Sequence, residues 1–70
     1  MEIRRGTVKS FNSGTYEATV QVAGSLSVWL GNVDVARNIP AAEMVAGRSC
    51  AVLFFDPGNP QDAVVIAVYA

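Results

Sequence analysis

Two stretches near the end of the chain decide its fold class: Ser49-Cys50-Ala51-Val52-Leu53-Phe54-Phe55 and Ala63-Val64-Val65-Ile66-Ala67-Val68-Tyr69. Both have the length and the content of β-branched and aromatic residues that are typical of β-strands. A strand with one solvated face alternates apolar and polar residues, and neither stretch does so. The sequence therefore predicts two strands with apolar side chains on both faces. One face packs in the core, and another copy of the chain or a partner protein must cover the second face.

The first part of the chain carries two further strand candidates. Thr15–Ala23 alternates most clearly, which predicts a half-buried strand. Glu2–Phe11 is interrupted by Gly6, which predicts a bulge or a sharp bend at that residue. Asn12-Ser13-Gly14 lies between the two candidates and predicts a turn.

A third strand candidate starts as Leu26-Ser27-Val28-Trp29-Leu30 and resumes at Val33-Asp34-Val35-Ala36. Its alternation places Leu26, Val28 and Leu30 on the inner face, so that Trp29 faces outward. Outward tryptophans are enriched at protein interfaces, which makes Trp29 a candidate for an interface or for stacking on a ligand. A register shifted by one residue would instead put Trp29 in the core, and the pattern leaves both interpretations open.

The segment between the third and fourth strand candidates predicts one or two turns of helix from Pro40 to Ala46. Proline suits a first helical turn, Asn38 can cap it and Gly47 suits the position after its end. The resulting order of elements predicts an all-β domain over residues 1–70, a small five-stranded OB-like Greek-key barrel with one short helix between strands 3 and 4. An SH3-like barrel is the alternative, with a single 3₁₀ turn before its last strand.

Length and composition favour assembly over chemistry. The chain has 70 residues, of which 51% are hydrophobic and 16% charged. A core of this size rarely supplies more than about 3–5 kcal/mol, and small domains usually add disulfides, a metal or oligomerisation. Cys50 is the only cysteine and there is no histidine, so oligomerisation remains, and Cys50 is interpreted as a small buried hydrophobe.

The charge and the apolar runs limit the classes of partner. The net charge of −1 disfavours nucleic acid, whose binders carry a basic surface. No apolar run approaches the roughly 20 residues that span a bilayer, and no signal peptide pattern is visible. We therefore expect no membrane partner, and a location in the cytoplasm or in a virion or tail-like particle.

The second apolar face of the last two strands is a candidate interface. Covering a few hundred Å² of it would contribute several kcal/mol at ~25 cal/mol per Å², which rivals the stability of the domain. Alternation does not decide which side chains point outward. One set is Leu53, Phe55, Val65 and Ala67, and the alternates are Cys50, Val52, Phe54, Val64, Ile66 and Val68. We expect self-association through an interface formed by Trp29, Leu53, Phe55, Val65 and Ala67.

Several short motifs suggest a family. They are Arg5-Gly6-Thr7-Val8, Ala18-Thr19-Val20-Gln21-Val22, Val28-Trp29-Leu30, the run from Gly47 to Phe55 and the run from Asn59 to Tyr69. Together they resemble the OB-fold domain of phage-tail baseplate and contractile-injection spike proteins. The resemblance implies an OB-fold and trimerisation through the barrel exterior, although Ala67 stands where the family pattern has glycine.

The sequence also leaves other functions open. Arg4, Arg5 and Lys9 with Tyr16 form a possible face for single-stranded nucleic acid, among the acidic Glu2 and Glu17. An oligomer could also enclose a small apolar ligand, or present its surface to another protein. No nucleophile–base pair, phosphate loop or metal-ligand spacing is visible, so we expect a non-enzymatic protein with no cofactor and no metal. Short polar residues in the turn between the last two strands are interpreted as turn caps rather than calcium ligands; they are Asp56, Asn59 and Asp62.

Overall fold

The computed structural model describes residues 1–23, 29–56 and 58–70. Within these ranges the chain forms five strands and one 3₁₀ turn: β1 (Glu2–Asn12), β2 (Glu17–Val22), β3 (Trp29–Val35), the turn Ala41–Glu43, β4 (Ser49–Phe54) and β5 (Ala63–Tyr69). The strands close into a barrel in the order β1-β2-β3-β5-β4. Neighbouring strands are antiparallel except β3 and β5, which are parallel. The predicted all-β barrel, with a short helical segment between the third and fourth strands, is confirmed.

The core consists of the inward side chains of all five strands. Alternation is cleanest in β2, where Ala18, Val20 and Val22 are buried and the residues between them are half-buried. The residues with essentially no exposed surface form the centre of the barrel: Val8, Val20, Val33, Cys50, Val52 and Val65. Small β-branched side chains suit this interior because a five-stranded barrel leaves a narrow space between its walls.

Three irregularities in strand pairing decide which side chains point inward. One extra residue, Lys9, lies in β1 opposite β2. Gly31 and Asn32 of β3 stand opposite the single residue Thr19, and Asn32 has a φ of 56°. Ile66 is the extra residue of β5 opposite β4. Each is a β-bulge, which resets the alternation of its strand and increases the local twist.

Of the bulge or sharp bend expected at Gly6, the bulge lies elsewhere, at Lys9. Gly6 lies inside a continuous strand and pairs with Val22 on one side and Cys50 on the other. A Cβ at this position would lie 3.0 Å from the backbone oxygen of Gln21 and 3.4 Å from the Cys50 Sγ atom. The glycine permits close approach of neighbouring backbone, and the bulge comes three residues later.

The helical segment forms one of the one or two turns expected between Pro40 and Ala46, and it is capped differently. It consists of the single 3₁₀ turn Ala41–Glu43, preceded by Pro40, with no side-chain capping hydrogen bond. Met44 leaves the helical conformation with a ψ of 66° and is buried against the core. The helical segment therefore ends after one turn, and the expected cap, Asn38, is exposed.

The same end of the barrel is closed by contacts around Tyr16. The Tyr16 hydroxyl donates a hydrogen bond to the backbone oxygen of Ile39, which is itself buried. Phe11 meets the Tyr16 ring edge-on at 5.1 Å, and the Arg37 guanidinium lies 5.3 Å from the same ring. The turn after β1 is also formed as predicted, because the Gly14 N–H donates to Asn12 Oδ1 at 2.9 Å.

Candidate interaction surface

A row of apolar side chains crosses the outside of three adjacent strands. Ile3 of β1 pairs with Leu53 of β4, and Leu53 pairs with Val64 of β5. Residues that pair directly across strands project from the same face of a sheet, so the three side chains form one outer row. Ile3 is 62% exposed, and the other two are half-buried.

Two further apolar side chains extend this row. Phe55 follows Leu53 by two residues and is 52% exposed. Its backbone N–H donates a hydrogen bond to the backbone oxygen of Asp62. Ile66 projects outward at the β5 bulge and is 37% exposed. We call Ile3, Leu53, Phe55, Val64 and Ile66 the outer apolar strip.

The observed strip differs from both sets that alternation offered. Val65 is fully buried in the core, so its assignment to the outer face was wrong. The reason is the bulge at Ile66, which turns both Ile66 and Ala67 outward while Val65 points inward. Leu53, Phe55 and Ala67 do lie outside the barrel. The alternate set divides between the two faces. Cys50, Val52 and Phe54 point into the core, and Val68 is half-buried against it. Val64 and Ile66 face outward.

Trp29 faces outward on a different part of the barrel. It is 56% exposed, and the Lys9 Nζ atom lies 5.2 Å from the centre of its ring. Trp29 pairs with Gln21 on β2, and Gln21 pairs with Thr7 on β1. The structure therefore places Trp29 on the outer face of β1–β2–β3 and does not bring it together with the outer apolar strip. Leu26 and Val28, assigned with it to the third strand, lie outside the described residues.

The four residues considered for nucleic acid do not form one face. Arg4 lies on the opposite side of β1 from Arg5, and its guanidinium is 3.9 Å from the Glu2 carboxylate. Lys9 is next to Trp29. Tyr16 is half-buried at the closed end of the barrel, where its hydroxyl and its ring have structural partners. The grouping of these residues into a single surface was wrong because β1 is long and its side chains alternate.

Charged residues of opposite sign border the outer apolar strip. Asp34 of β3 pairs with Val64 at one end of the row and with Glu17 of β2 on its other side. Arg5 lies two residues after Ile3 at the opposite end, paired with Ala51. The ion pairs found in the described part of the chain join Arg4 to Glu2 and Arg48 to Glu43, so these three charges have no ion-pair partner there. Sequence reasoning missed this arrangement because it depends on strand register.

The remaining polar and nucleophilic candidates have structural roles. Asp56 Oδ1 accepts a hydrogen bond from Gly58 N–H at 3.0 Å, and Asn59 Oδ1 accepts one from Gln61 N–H at 3.2 Å. In both cases a side-chain oxygen accepts a hydrogen bond from the backbone N–H two residues later, which is an Asx-turn and agrees with the turn caps predicted for this segment. Cys50 is buried, and burial raises the pKa of its thiol. A raised thiol pKa disfavours the thiolate, so the geometry gives Cys50 no reactive character.

Comparison of the chain with protein-family models, with curated proteins and with solved structures finds no match. In the described ranges, no helix is long and apolar enough to cross a membrane.

Proposed function

We propose that this protein is a non-enzymatic structural module, an OB-like barrel that associates with copies of itself through the outer apolar strip to form a homotrimer. The observation that carries the proposal is the continuity of the strip across β1, β4 and β5. Exposed hydrophobic residues that occur singly need no explanation, whereas a contiguous apolar face marks an interaction site. The trimer follows the resemblance to phage-tail and injection-spike OB domains.

The OB-like assignment is supported by chain topology. The helical turn lies between β3 and β4, where the OB order has its helix, and not before the last strand as in SH3-like barrels. The parallel contact between β3 and β5 closes the barrel in a Greek-key order. The contact is short, with Asp34 and Val35 opposite Val64 and Val65.

Burial energetics favour association. Complete burial of a large apolar side chain contributes about 1.5–3 kcal/mol, and three members of the strip are more than one-third exposed in a single chain: Ile3, Phe55 and Ile66. Their joint burial is worth several kcal/mol per chain. That amount is of the same order as the roughly 3–5 kcal/mol that a core of this size supplies, so assembly would contribute a large share of total stability.

A pair of variants tests the role of the strip. Replacing Ile3 and Phe55 together by Gln removes apolar surface from the strip without changing charge, and Val45→Gln is the control. Val45 is 47% exposed and follows the 3₁₀ turn, outside the strip. We expect the double variant to be monomeric at concentrations at which the wild type and Val45→Gln are oligomeric. Equal oligomerisation of all three proteins would reject the strip as the interface.

Single-stranded nucleic-acid binding has less support. The basic residues are dispersed over the barrel. Trp29 is exposed, and its cation contact is with one lysine, Lys9. Such binders combine a basic groove with several stacking aromatics and show strong salt dependence. Fluorescence anisotropy with labelled oligonucleotides at low salt is the measurement that would establish it. Native mass spectrometry of the purified oligomer would likewise reveal an enclosed apolar ligand.

A further inference from the structure

The charges at the two ends of the outer apolar strip are opposite in sign. Five residues form one row across the outer face of the barrel. Glu17 of β2 pairs with Asp34 of β3, which pairs with Val64 of β5. Val64 pairs with Leu53 of β4, which pairs with Ile3 of β1. Asp34 and Ile3 are three strand spacings apart by way of β5 and β4, a path of about 14 Å along the curved surface of the barrel. Arg5 lies on the same face as Ile3, in the next row. One end of the strip is therefore acidic and the other is basic.

The acidic end is unfavourable in an isolated chain. Glu17 and Asp34 stand directly opposite each other on neighbouring strands, and like charges in that arrangement repel. Asp34 is exposed and Glu17 is half-buried, with no cation paired to either in residues 1–23, 29–56 and 58–70. A cation supplied from outside the chain would remove this repulsion.

We propose that a second copy supplies that cation, so that Arg5 of one barrel pairs with Asp34 and Glu17 of the next. This inference rests on the proposed self-association. If the strip faces a three-fold axis, the β1–β4 half of one copy packs on the β5–β3 half of its neighbour. That orientation buries apolar surface on both halves and brings the basic end of each copy to the acidic end of the next. Such complementarity fixes the register of an interface and suppresses other orientations.

Charge reversal on each side tests the pairing. Arg5→Glu places a third carboxylate against the acidic pair, and the double variant Glu17→Lys/Asp34→Lys places two ammonium groups against Arg5. The double variant keeps a like-charge pair within the chain, so its internal repulsion matches that of the wild type. Lys9→Glu is the control for Arg5→Glu because it changes the net charge equally and lies beside Trp29, outside the strip.

The readout is the dissociation constant of the oligomer, measured by sedimentation equilibrium. We expect Arg5→Glu and the acidic-side double variant each to weaken assembly at least about tenfold, because like charges at an interface are costly. The triple variant Arg5→Glu/Glu17→Lys/Asp34→Lys should recover the wild-type constant, and Lys9→Glu should keep it. A wild type that assembles, with Arg5→Glu no weaker than Lys9→Glu or with no recovery in the triple variant, would overturn the pairing alone. A wild type that stays monomeric would overturn the proposed self-association as well.

Discussion

At the scale of single residues, Gly6 has the tightest surroundings of the described glycines. A Cβ added to residue 6 would lie 3.0 Å from the Gln21 backbone oxygen, so β1 or β2 would have to move to accommodate it. By contrast, a Cβ at Gly31 would meet nothing closer than Thr19 Oγ1 at 4.0 Å. The two glycines therefore offer a matched comparison within one sheet.

We predict that Gly6→Ala destabilises the protein by about 1–3 kcal/mol, the range seen when a packed interior is overfilled. Gly31→Ala should change stability by no more than about 0.5 kcal/mol, as is usual for surface substitutions. Urea denaturation at a fixed protein concentration measures both. Equal small effects at the two positions would show that the neighbours of Gly6 move aside at little cost.

The buried thiol of Cys50 predicts a dependence of stability on alkaline pH. Burial raises the pKa of this group, and a backbone hydrogen bond with Gly6 opposes the increase. Above the ordinary thiol pKa of about 8.5, the unfolded chain loses a proton that the folded chain retains. Stability then falls as pH rises, by up to about 1.4 kcal/mol per pH unit, until the folded-state pKa is passed.

Cys50→Ala isolates this effect from other groups that titrate in the same range. The difference in unfolding free energy between wild type and Cys50→Ala should be constant from pH 6 to about pH 8 and should then shift against the wild type. Urea denaturation over that range is the measurement. A difference that stays constant up to pH 10 would mean that the folded thiol titrates at its ordinary pKa.

At the scale of elements, the bulges explain why alternation identified some faces and not others. β2 follows strict alternation, and every one of its residues faces as predicted. In β5, however, Ile66 is an extra residue, so that Val65 points inward while Ile66 and Ala67 both point outward. No residue type in Val64-Val65-Ile66-Ala67 signals a bulge, and pairing with β4 selects its position.

The β3 bulge has a local signal that the sequence does carry. Asn32 adopts a φ of 56°, a conformation that asparagine and glycine tolerate better than other residues. The bulge allows both Leu30 and Val33 to be buried although they are three residues apart. Gly31-Asn32 separates the two parts of the third strand candidate in the sequence, and the bulge at these residues joins both parts into one strand.

We predict that Asn32→Val lowers the free energy of unfolding by about 1–2 kcal/mol, because a β-branched residue resists positive φ. Asn32→Gly should be neutral within about 0.5 kcal/mol, since glycine adopts this φ without steric cost. Thermal denaturation of both variants followed by circular dichroism measures the difference. If the valine variant were as stable as the glycine variant, the bulge would have relaxed to another conformation.

At the scale of the whole molecule, the order of the elements and the barrel were predictable, whereas the sets of residues that share an outer surface were not. Turn-forming residues separate the strands, and the run around Pro40 and Gly47 marks the helical turn, so fold class follows from local pattern. Which side chains lie together on one outer surface depends on pairing between strands that are distant in sequence. For that reason the grouping of Arg4, Arg5, Lys9 and Tyr16 was wrong, and the opposition of Arg5 to Asp34 across the strip was not anticipated.

Total surface area does not by itself demand assembly. The chain exposes 4129 Å², close to the roughly 4,200 Å² expected of a monomer with a mass of 7.4 kDa. Assembly is favoured instead by where the exposed apolar side chains lie. Ile3, Phe55 and Ile66 belong to one continuous strip whose ends carry opposite charges, which is a property of arrangement rather than of amount.

The most direct test of this account is the molar mass of the wild-type protein in solution, measured by light scattering on a size-exclusion column across a dilution series. The account predicts a species of three times 7.4 kDa at micromolar concentration, with dissociation only on further dilution. A constant mass of 7.4 kDa over the whole series would contradict it, because the outer apolar strip would then remain exposed in solution.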